Sequence, residues 1–169
     1  AGGIAEALSL TRGFVRGRNV AVILGDNLFE ESMKNHLDRF VTESKFDCYL
    51  FLKKVPDPSE FGIAWLDDNG SITKMLEKPN NPDSNMAITG LYFYTAEVFE
   101  LIDKRLELGG YSDRGELEIT DINRFFMDQG KAKGILFDCH WADCGTIDAL
   151  IETSVLVKNW NKGPWLIEA

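Results

Sequence analysis

A strand, an amphipathic helix and a second strand follow one another in the first third of the chain, and this order constrains the fold strongly. Residues 19–24 form a short apolar run rich in β-branched side chains, which is typical of a buried strand. Residues 29–42 repeat apolar side chains at helical spacing, and residues 48–55 have the composition of a strand. This βαβ order predicts a parallel strand pair in an α/β fold.

The rest of the chain continues the mixture of helices and strands. We predict helices over residues 4–15, 96–106 and 118–129 and from Thr146 to about Trp160, and strands over residues 63–66, 72–76, 86–94, 135–137 and 140–142. Asp67-Asp68-Asn69-Gly70 is typical of a hairpin turn between two of these strands. With 169 residues and no internal repeat, residues 1–169 are expected to form one domain.

Composition and charge argue against several classes of function. The formal net charge of −9 disfavours a nucleic-acid or membrane-surface partner, because both attract basic patches. The three cysteines contain no CxxC pair and the two histidines are not spaced as a metal pair, so free thiols are favoured over a disulfide or a zinc site. The sequence shows neither an apolar run of the roughly 18 residues that span a membrane nor a signal-peptide pattern, so we expect a cytoplasmic protein.

Asp26 follows the first strand within the sequence Leu24-Gly25-Asp26-Asn27. In open α/β sheets ligands bind at the carboxyl ends of strands, and a carboxylate there is suited to hold Mg²⁺ against a phosphate. Taken alone, an aspartate in this position is more commonly a strand-end residue that caps the next helix. The sequence alone leaves both readings open.

Asp143 has the same setting, within Trp141-Ala142-Asp143-Cys144-Gly145-Thr146. It leaves a strand, is followed closely by a glycine and precedes a capped helix, so helix capping is again the alternative. Mg²⁺ prefers one or two carboxylates together with phosphate oxygens and water. Asp26 and Asp143 as a pair therefore favour a shared metal more than either residue does alone.

Three further segments carry candidate ligands. Glu77 and Lys78 leave a strand together, and a carboxylate suits sugar hydroxyls while an ammonium suits a phosphate, unless the two are a solvated charge pair. Gly90 lies inside a strand and Gly62 precedes one, where a glycine marks either a bulge or a close approach to the backbone. Residues 114–121 are typical of a well-capped helix start.

In order and spacing, these segments resemble the sugar-1-phosphate nucleotidyltransferases, and most closely their glucose-1-phosphate thymidylyltransferase branch. The matching sequences, which extend over essentially the whole chain, are GIAEA at 3–7, LGDN at 24–27, FG at 61–62, EKP at 77–79, TGLYFY at 89–94, RGELEITDIN at 114–123 and WADCGT at 141–146. The resemblance implies a Rossmann-like three-layer fold with a mixed, mostly parallel sheet. It also implies a reaction in which a sugar 1-phosphate attacks the α-phosphate of a nucleoside triphosphate and pyrophosphate leaves.

The resemblance further implies roles for individual residues. Asp26 and Asp143 would bind Mg²⁺, and Lys78 would bind the sugar phosphate. The sugar would contact a second set, and Gly3 would lie beside the nucleotide base. That second set consists of Glu77, Thr89, Gly90, Tyr92 and the backbone of Gly62.

The chain departs from the family pattern at its start. Members of the family begin with a strand and a GGxGTRL loop that holds the triphosphate, and neither occurs in this sequence. We therefore expect a central sheet edge without its partner, and we predict that self-association covers it in a homo-oligomer. Two functions stay open: a nucleotidyltransferase, and a non-catalytic module that binds a sugar phosphate or assembles with another chain.

Overall fold

The computed structural model describes residues 2–159. The helices are α1 (Ile4–Ser9), α2 (Arg12–Val15), α3 (Lys34–Thr42), α4 (Val98–Glu107), α5 (Ile119–Asp128) and α6 (Ile147–Asn159). The strands are β1 (Val20–Ile23), β2 (Asn27–Phe29), β3 (Cys48–Lys54), β4 (Gly62–Leu66), β5 (Ile72–Glu77), β6 (Met86–Tyr94), β7 (Ala132–Leu136) and β8 (Trp141–Asp143). The predicted end of the last helix at Trp160 lies outside the described residues.

Strand β6 lies at the centre of the main sheet and is buried along nearly its whole length. One edge of β6 pairs with β3, while its other edge is shared by β1, at residues 91–94, and β4, at residues 86–88. Strand β5 extends the sheet beyond β4, and β7 extends it beyond β3. Because both faces of β6 are covered, its sequence is mostly apolar instead of alternating.

The α/β class and the mixed sheet are confirmed, with a smaller parallel share than the resemblance implied. Among the described strands of the main sheet, β3 and β7 pair in parallel and the other ladders are antiparallel. The predicted parallel pair of β1 and the strand after α3 is wrong, because β6 lies between β1 and β3. A buried strand needs hydrogen-bond partners on both edges, and β6 takes these two strands as its partners.

Two predicted helices also differ from the observed ones. The helix expected over residues 4–15 is divided into α1 and α2, and Ser9 and Thr11 donate side-chain hydrogen bonds to the carbonyls of Glu6 and Leu8 at the break. The helix expected over residues 29–42 begins only at Lys34. Residues before it form β2, which pairs with β8.

The sheet separates two apolar layers. On one face α1, α4 and α5 contribute to a core that includes Leu8, Ile102 and Phe126. On the other face Phe40 of α3 packs on Phe93 with a ring-centroid distance of 5.8 Å, and Phe51 lies 5.0 Å from the same ring. The helix–sheet–helix layering agrees with the three layers expected.

The outer edge of β1 borders an apolar groove of about 610 Å³, lined by α1, α2 and the strand itself. Within residues 2–159 no strand pairs with this edge, and Ile23 is 60% exposed. Self-association through this edge stays a prediction, which light scattering at high protein concentration tests. None of the helices in the described range has the length and apolar character required to cross a membrane.

Candidate active site

A small two-stranded ribbon, formed by β2 and β8, brings Asp26 and Asp143 together. Asn27 and Asp143 are direct partners in its antiparallel register. The N–H of Cys144 donates to the backbone oxygen of Asp26 at 2.7 Å, and the N–H of Gly145 donates to Oδ1 of Asp143 at 2.9 Å. Segments that are more than one hundred residues apart in sequence thus meet at one point of the fold.

The two carboxylates face a common space beside Gly145. A Cβ atom at Gly145 would lie 3.0 Å from Oδ1 of Asp143 and 3.7 Å from Oδ2 of Asp26. Among the described residues no group of three or more His, Cys, Asp or Glu side chains could hold a metal ion. Two carboxylates fit Mg²⁺, which takes its remaining ligands from phosphate and water. The pair does not fit a metal that requires a complete set of protein ligands.

A cleft of about 290 Å³ lies next to this carboxylate pair. It is bordered by the ends of several strands and by the turn before α5. Its lining includes Gly62, Glu77, Lys78, Gly90, Arg114 and Asp143. The cleft therefore combines two cationic side chains with several carboxylates, which suits a ligand that carries both a phosphate and hydroxyl groups.

Lys78 enters the cleft from a strained backbone position. Its φ angle is +40°, in the left-handed region that a side chain other than glycine rarely adopts. The Lys78 N–H donates to the backbone oxygen of Phe61 at 3.1 Å, and its Nζ lies 3.5 Å from Oε2 of Glu60. Such strain costs on the order of 1–3 kcal/mol and is concentrated at functional sites. This position supports a functional role for the ammonium group.

Glu77 is held by neighbours on two elements. Its Oε2 accepts a hydrogen bond from Oγ1 of Thr120 at 2.5 Å, and its Oε1 lies 3.4 Å from Nη2 of Arg114. A Cβ atom at Gly62 would lie 3.0 Å from the Thr120 hydroxyl and 3.2 Å from Glu77. Gly62 thus leaves space for the Glu77–Thr120 contact at the wall of the cleft.

Arg114 is a cleft residue that the sequence reasoning did not single out. Its guanidinium group donates to both carboxylate oxygens of Glu118 at 2.9 Å, and the hydrogen bond with Glu118 raises the pKa of Arg114. Glu118 is buried and also accepts a bond from Ser112 at 2.7 Å. From the sequence this segment is predicted only as a helix start. The pattern that indicates the ion pair is an arginine four residues before Glu118, the residue that precedes α5.

The remaining predicted ligands have different surroundings. The buried hydroxyl of Thr89 donates to the backbone oxygen of Phe51 at 3.0 Å, and a sugar-binding role for this residue stays a prediction. Tyr92 lines the cleft but is buried, and this burial raises the pKa of its phenol. Gly3 has a φ of +90°, and a Cβ there would lie 2.6 Å from the backbone oxygen of Leu117. Close packing against Leu117 therefore requires glycine at this position.

Comparison with known proteins gives a consistent result. The family model described as "Nucleotidyl transferase" matches residues 1–159. The low-salt glycan biosynthesis nucleotidyltransferase Agl11 of Haloferax volcanii is 34% identical over 160 residues, which are 92% of this chain and 42% of that protein. Glucose-1-phosphate thymidylyltransferase of Xanthomonas campestris is 33% identical over 165 residues, which are 92% of this chain and 52% of that protein.

Solved structures show the same similarity. A crystal structure from Bacillus anthracis, assigned as a glucose-1-phosphate thymidylyltransferase in complex with sucrose, superposes with a TM-score of 0.85 at 36% identity. That match covers 96% of this chain and 64% of the other. UDP-glucose pyrophosphorylase complexed with UDP-glucose shares the fold, with a TM-score of 0.81 at 23% identity over 95% of this chain and 64% of the other. The chain spans about half the length of the curated relatives that it matches.

Proposed function

The chain belongs to the nucleotidyl transferase family, and on that premise we propose that its cleft binds a sugar 1-phosphate for transfer of a nucleotidyl group. The observation that carries the proposal is the meeting of Asp26 and Asp143 beside a cleft that contains Lys78 and Arg114. By resemblance to the thymidylyl branch, the substrates are glucose 1-phosphate and dTTP.

In the proposed reaction an oxygen of the sugar phosphate forms a bond to the α-phosphorus of the triphosphate. The bond between that phosphorus and the α–β bridging oxygen breaks, and pyrophosphate leaves with the electron pair. Asp26 and Asp143 would hold Mg²⁺, which when bound neutralises phosphate charge. The protein groups act mainly by positioning and by electrostatic stabilisation, which is the usual requirement of phosphoryl transfer.

Different cleft residues would bind the phosphate and the sugar ring of the substrate. The ammonium of Lys78 and the guanidinium of Arg114 supply positive charge for the phosphate, and the carboxylate of Glu77 accepts hydrogen bonds from sugar hydroxyls. Because Glu77 is already oriented by Thr120, it needs little further ordering when a sugar binds. Arg114 exchanges part of its contact with Glu77 for the phosphate, while Glu118 continues to hold its other side.

Pyrophosphate release from dTTP, glucose 1-phosphate and Mg²⁺ tests the transferase reaction. The double variant Asp26→Asn, Asp143→Asn removes both metal-binding carboxylates without changing their size, so we expect release to fall to the background rate. Equal release by the parent and the double variant would refute a metal-dependent role for these residues.

A non-catalytic sugar-phosphate-binding module is the second candidate, favoured by the presence of Glu77, Lys78 and Arg114 in one cleft. Calorimetry with glucose 1-phosphate tests binding separately from turnover. Lys78→Met keeps the length of the side chain and removes its charge. Lys74→Met is the matched control four residues earlier, on β5, where Lys74 lies over the Trp65 ring. Binding that is equal in Lys78→Met and the parent would exclude Lys78 from the site. Binding without pyrophosphate release would favour the module.

A further inference from the structure

Asn27 is a buried amide at the start of β2, and its hydrogen bonds link Asp26 to β6 and β8. Its Oδ1 accepts hydrogen bonds from the backbone N–H of Gly90 and from Nε1 of Trp141, both at 2.8 Å. Its Nδ2 donates to Oδ1 of Asp26 at 2.9 Å. These bonds connect both strands of the ribbon, β2 and β8, to the central strand β6.

The hydrogen bonds fix which way the amide points. An amide oxygen has two lone pairs, and both face N–H donors here, so the reverse orientation would place NH₂ against two donors. Since its oxygen is fully used, Asn27 is not itself a metal ligand. Its NH₂ group faces the Asp26 carboxylate and donates to one of the two oxygens.

We infer that Asn27 is a positioning residue, which orients the Asp26 carboxylate toward Asp143. This inference rests on the proposed metal role of the two aspartates. With Oδ1 of Asp26 engaged by Asn27, it is Oδ2 that lies on the side of Gly145 and Asp143. Residues that orient metal-binding carboxylates in this way typically change metal affinity about 10- to 100-fold when they are replaced.

The same arrangement explains the glycine inside β6. A Cβ atom at Gly90 would lie 2.6–2.7 Å from three atoms of the Asn27 amide, which is closer than side-chain atoms can approach. Gly90 is therefore required by Asn27, independently of any ligand that approaches the backbone. An alanine at position 90 should displace the amide and weaken its hold on Asp26.

A cycle of four proteins tests the inference: the parent chain, Asn27→Ala, Gly90→Ala and the double variant. Thermal unfolding without metal measures the contact itself. We expect Gly90→Ala to lower Tm in the parent and to lower it much less in the Asn27→Ala background, where the colliding side chain is absent. Electron paramagnetic resonance with Mn²⁺, as the probe for the Mg²⁺ site, measures the effect on metal binding.

For Mn²⁺ binding we expect each single variant to lose about 10-fold or more in affinity, and the double variant to lose no more than Asn27→Ala. The matched control is Asn123→Asp, a fully buried amide on α5 that accepts a hydrogen bond from Tyr94 and does not line the cleft. It should lower Tm and leave Mn²⁺ affinity unchanged. Gly90→Ala displaces the amide without removing it, so the inference remains testable if Asn27→Ala does not fold.

The possible failures are distinguishable. If Asn27→Ala folds and binds Mn²⁺ like the parent, or if Gly90→Ala weakens Mn²⁺ binding equally in both backgrounds, the positioning role is refuted while the metal site stands. If Asp26→Asn, Asp143→Asn binds Mn²⁺ as the parent does, the metal site of the proposed function is refuted, and the inference is overturned with it. The metal-free Tm cycle then still reports whether Asn27 contacts Gly90.

Discussion

Replacement of Lys53 by methionine tests how the loop that leads to Asp143 is held. Lys53 lies on β3, and its ammonium group donates to the carbonyl oxygens of Cys139 at 2.8 Å and Asp138 at 3.0 Å, with Phe137 O at 3.4 Å. The same ammonium lies 5.3 Å from the centre of the Phe137 ring. Three consecutive carbonyls are thus directed at one charge. Methionine keeps most of the side-chain stem and removes that charge.

The expected loss follows from these contacts. Hydrogen bonds to a charged group contribute about 1.5–3 kcal/mol to stability. The smaller value applies to Lys53, because the loop carbonyls can accept hydrogen bonds from water when the ammonium group is removed. A cation–π contact at a partly exposed site adds about 0.5 kcal/mol. We therefore expect Lys53→Met to lower the free energy of unfolding by about 2 kcal/mol, which is roughly 4–8 °C in Tm for a domain of this size.

Thermal and urea unfolding of Lys53→Met and Lys54→Met provide the assay. Lys54 is the next residue of the same strand, its side chain points to the other face, and it is exposed. We expect Lys54→Met to change Tm by less than about 2 °C, since exposed substitutions away from specific contacts have small effects. Equal Tm values for the two variants would show that the three carbonyls are satisfied by water and that Lys53 does not hold this loop.

Two further predictions concern stability. Tyr94→Phe should lower the free energy of unfolding, measured in urea, by about 1–3 kcal/mol. Tyr94 donates to the buried Oδ1 of Asn123 at 2.7 Å, while Asn123 Nδ2 has no partner among the described residues. Adding Asn123→Leu should recover most of that loss, and additive losses would contradict this account. Hydrogen bonds, first from Lys133 and then from Tyr49, lower the pKa of Glu43 to about 2 from 4.5, so its stabilising effect is present above pH 4.5 and is lost as the pH falls toward 2. Glu43→Gln should therefore flatten the fall in urea midpoint between pH 5 and pH 3, and an unchanged pH dependence would exclude Glu43 as its source.

The sequence predicts the elements of this fold better than their pairing. The strand over residues 86–94 matches β6 at both ends, because a long, mostly apolar run is recognisable without knowledge of its partners. The parallel pair of β1 and β3 was wrong, since local periodicity carries no information about a later strand inserted between them. Likewise, β2 is a strand only because β8 pairs with it, and helical spacing of the residues that follow concealed it.

The candidate site likewise contains residues that the sequence predicts and residues whose position it does not predict. Asp26, Glu77, Lys78 and Asp143 could be proposed from their positions at strand ends, and all four lie at one cleft or its edge. Thr89 and Arg114 could not be placed in this way. A shift of one residue in strand register decides whether the hydroxyl of Thr89 faces the cleft or the carbonyl of Phe51. Arg114 reaches the cleft through a turn whose path depends on its hydrogen bonds to Glu118.

Gly90 illustrates why a motif residue needs its tertiary contacts before a role is assigned. From the sequence, a glycine in a strand indicates either a bulge or the approach of a ligand to the backbone. The structure gives a third cause, a side chain from another strand that occupies the space of the missing Cβ. Under this cause the glycine would affect ligand binding only through Asn27 and Asp26. Gly90 in TGLYFY and Asp26 in LGDN can therefore reflect one structural requirement, in which the glycine makes room for Asn27, which donates a hydrogen bond to Asp26.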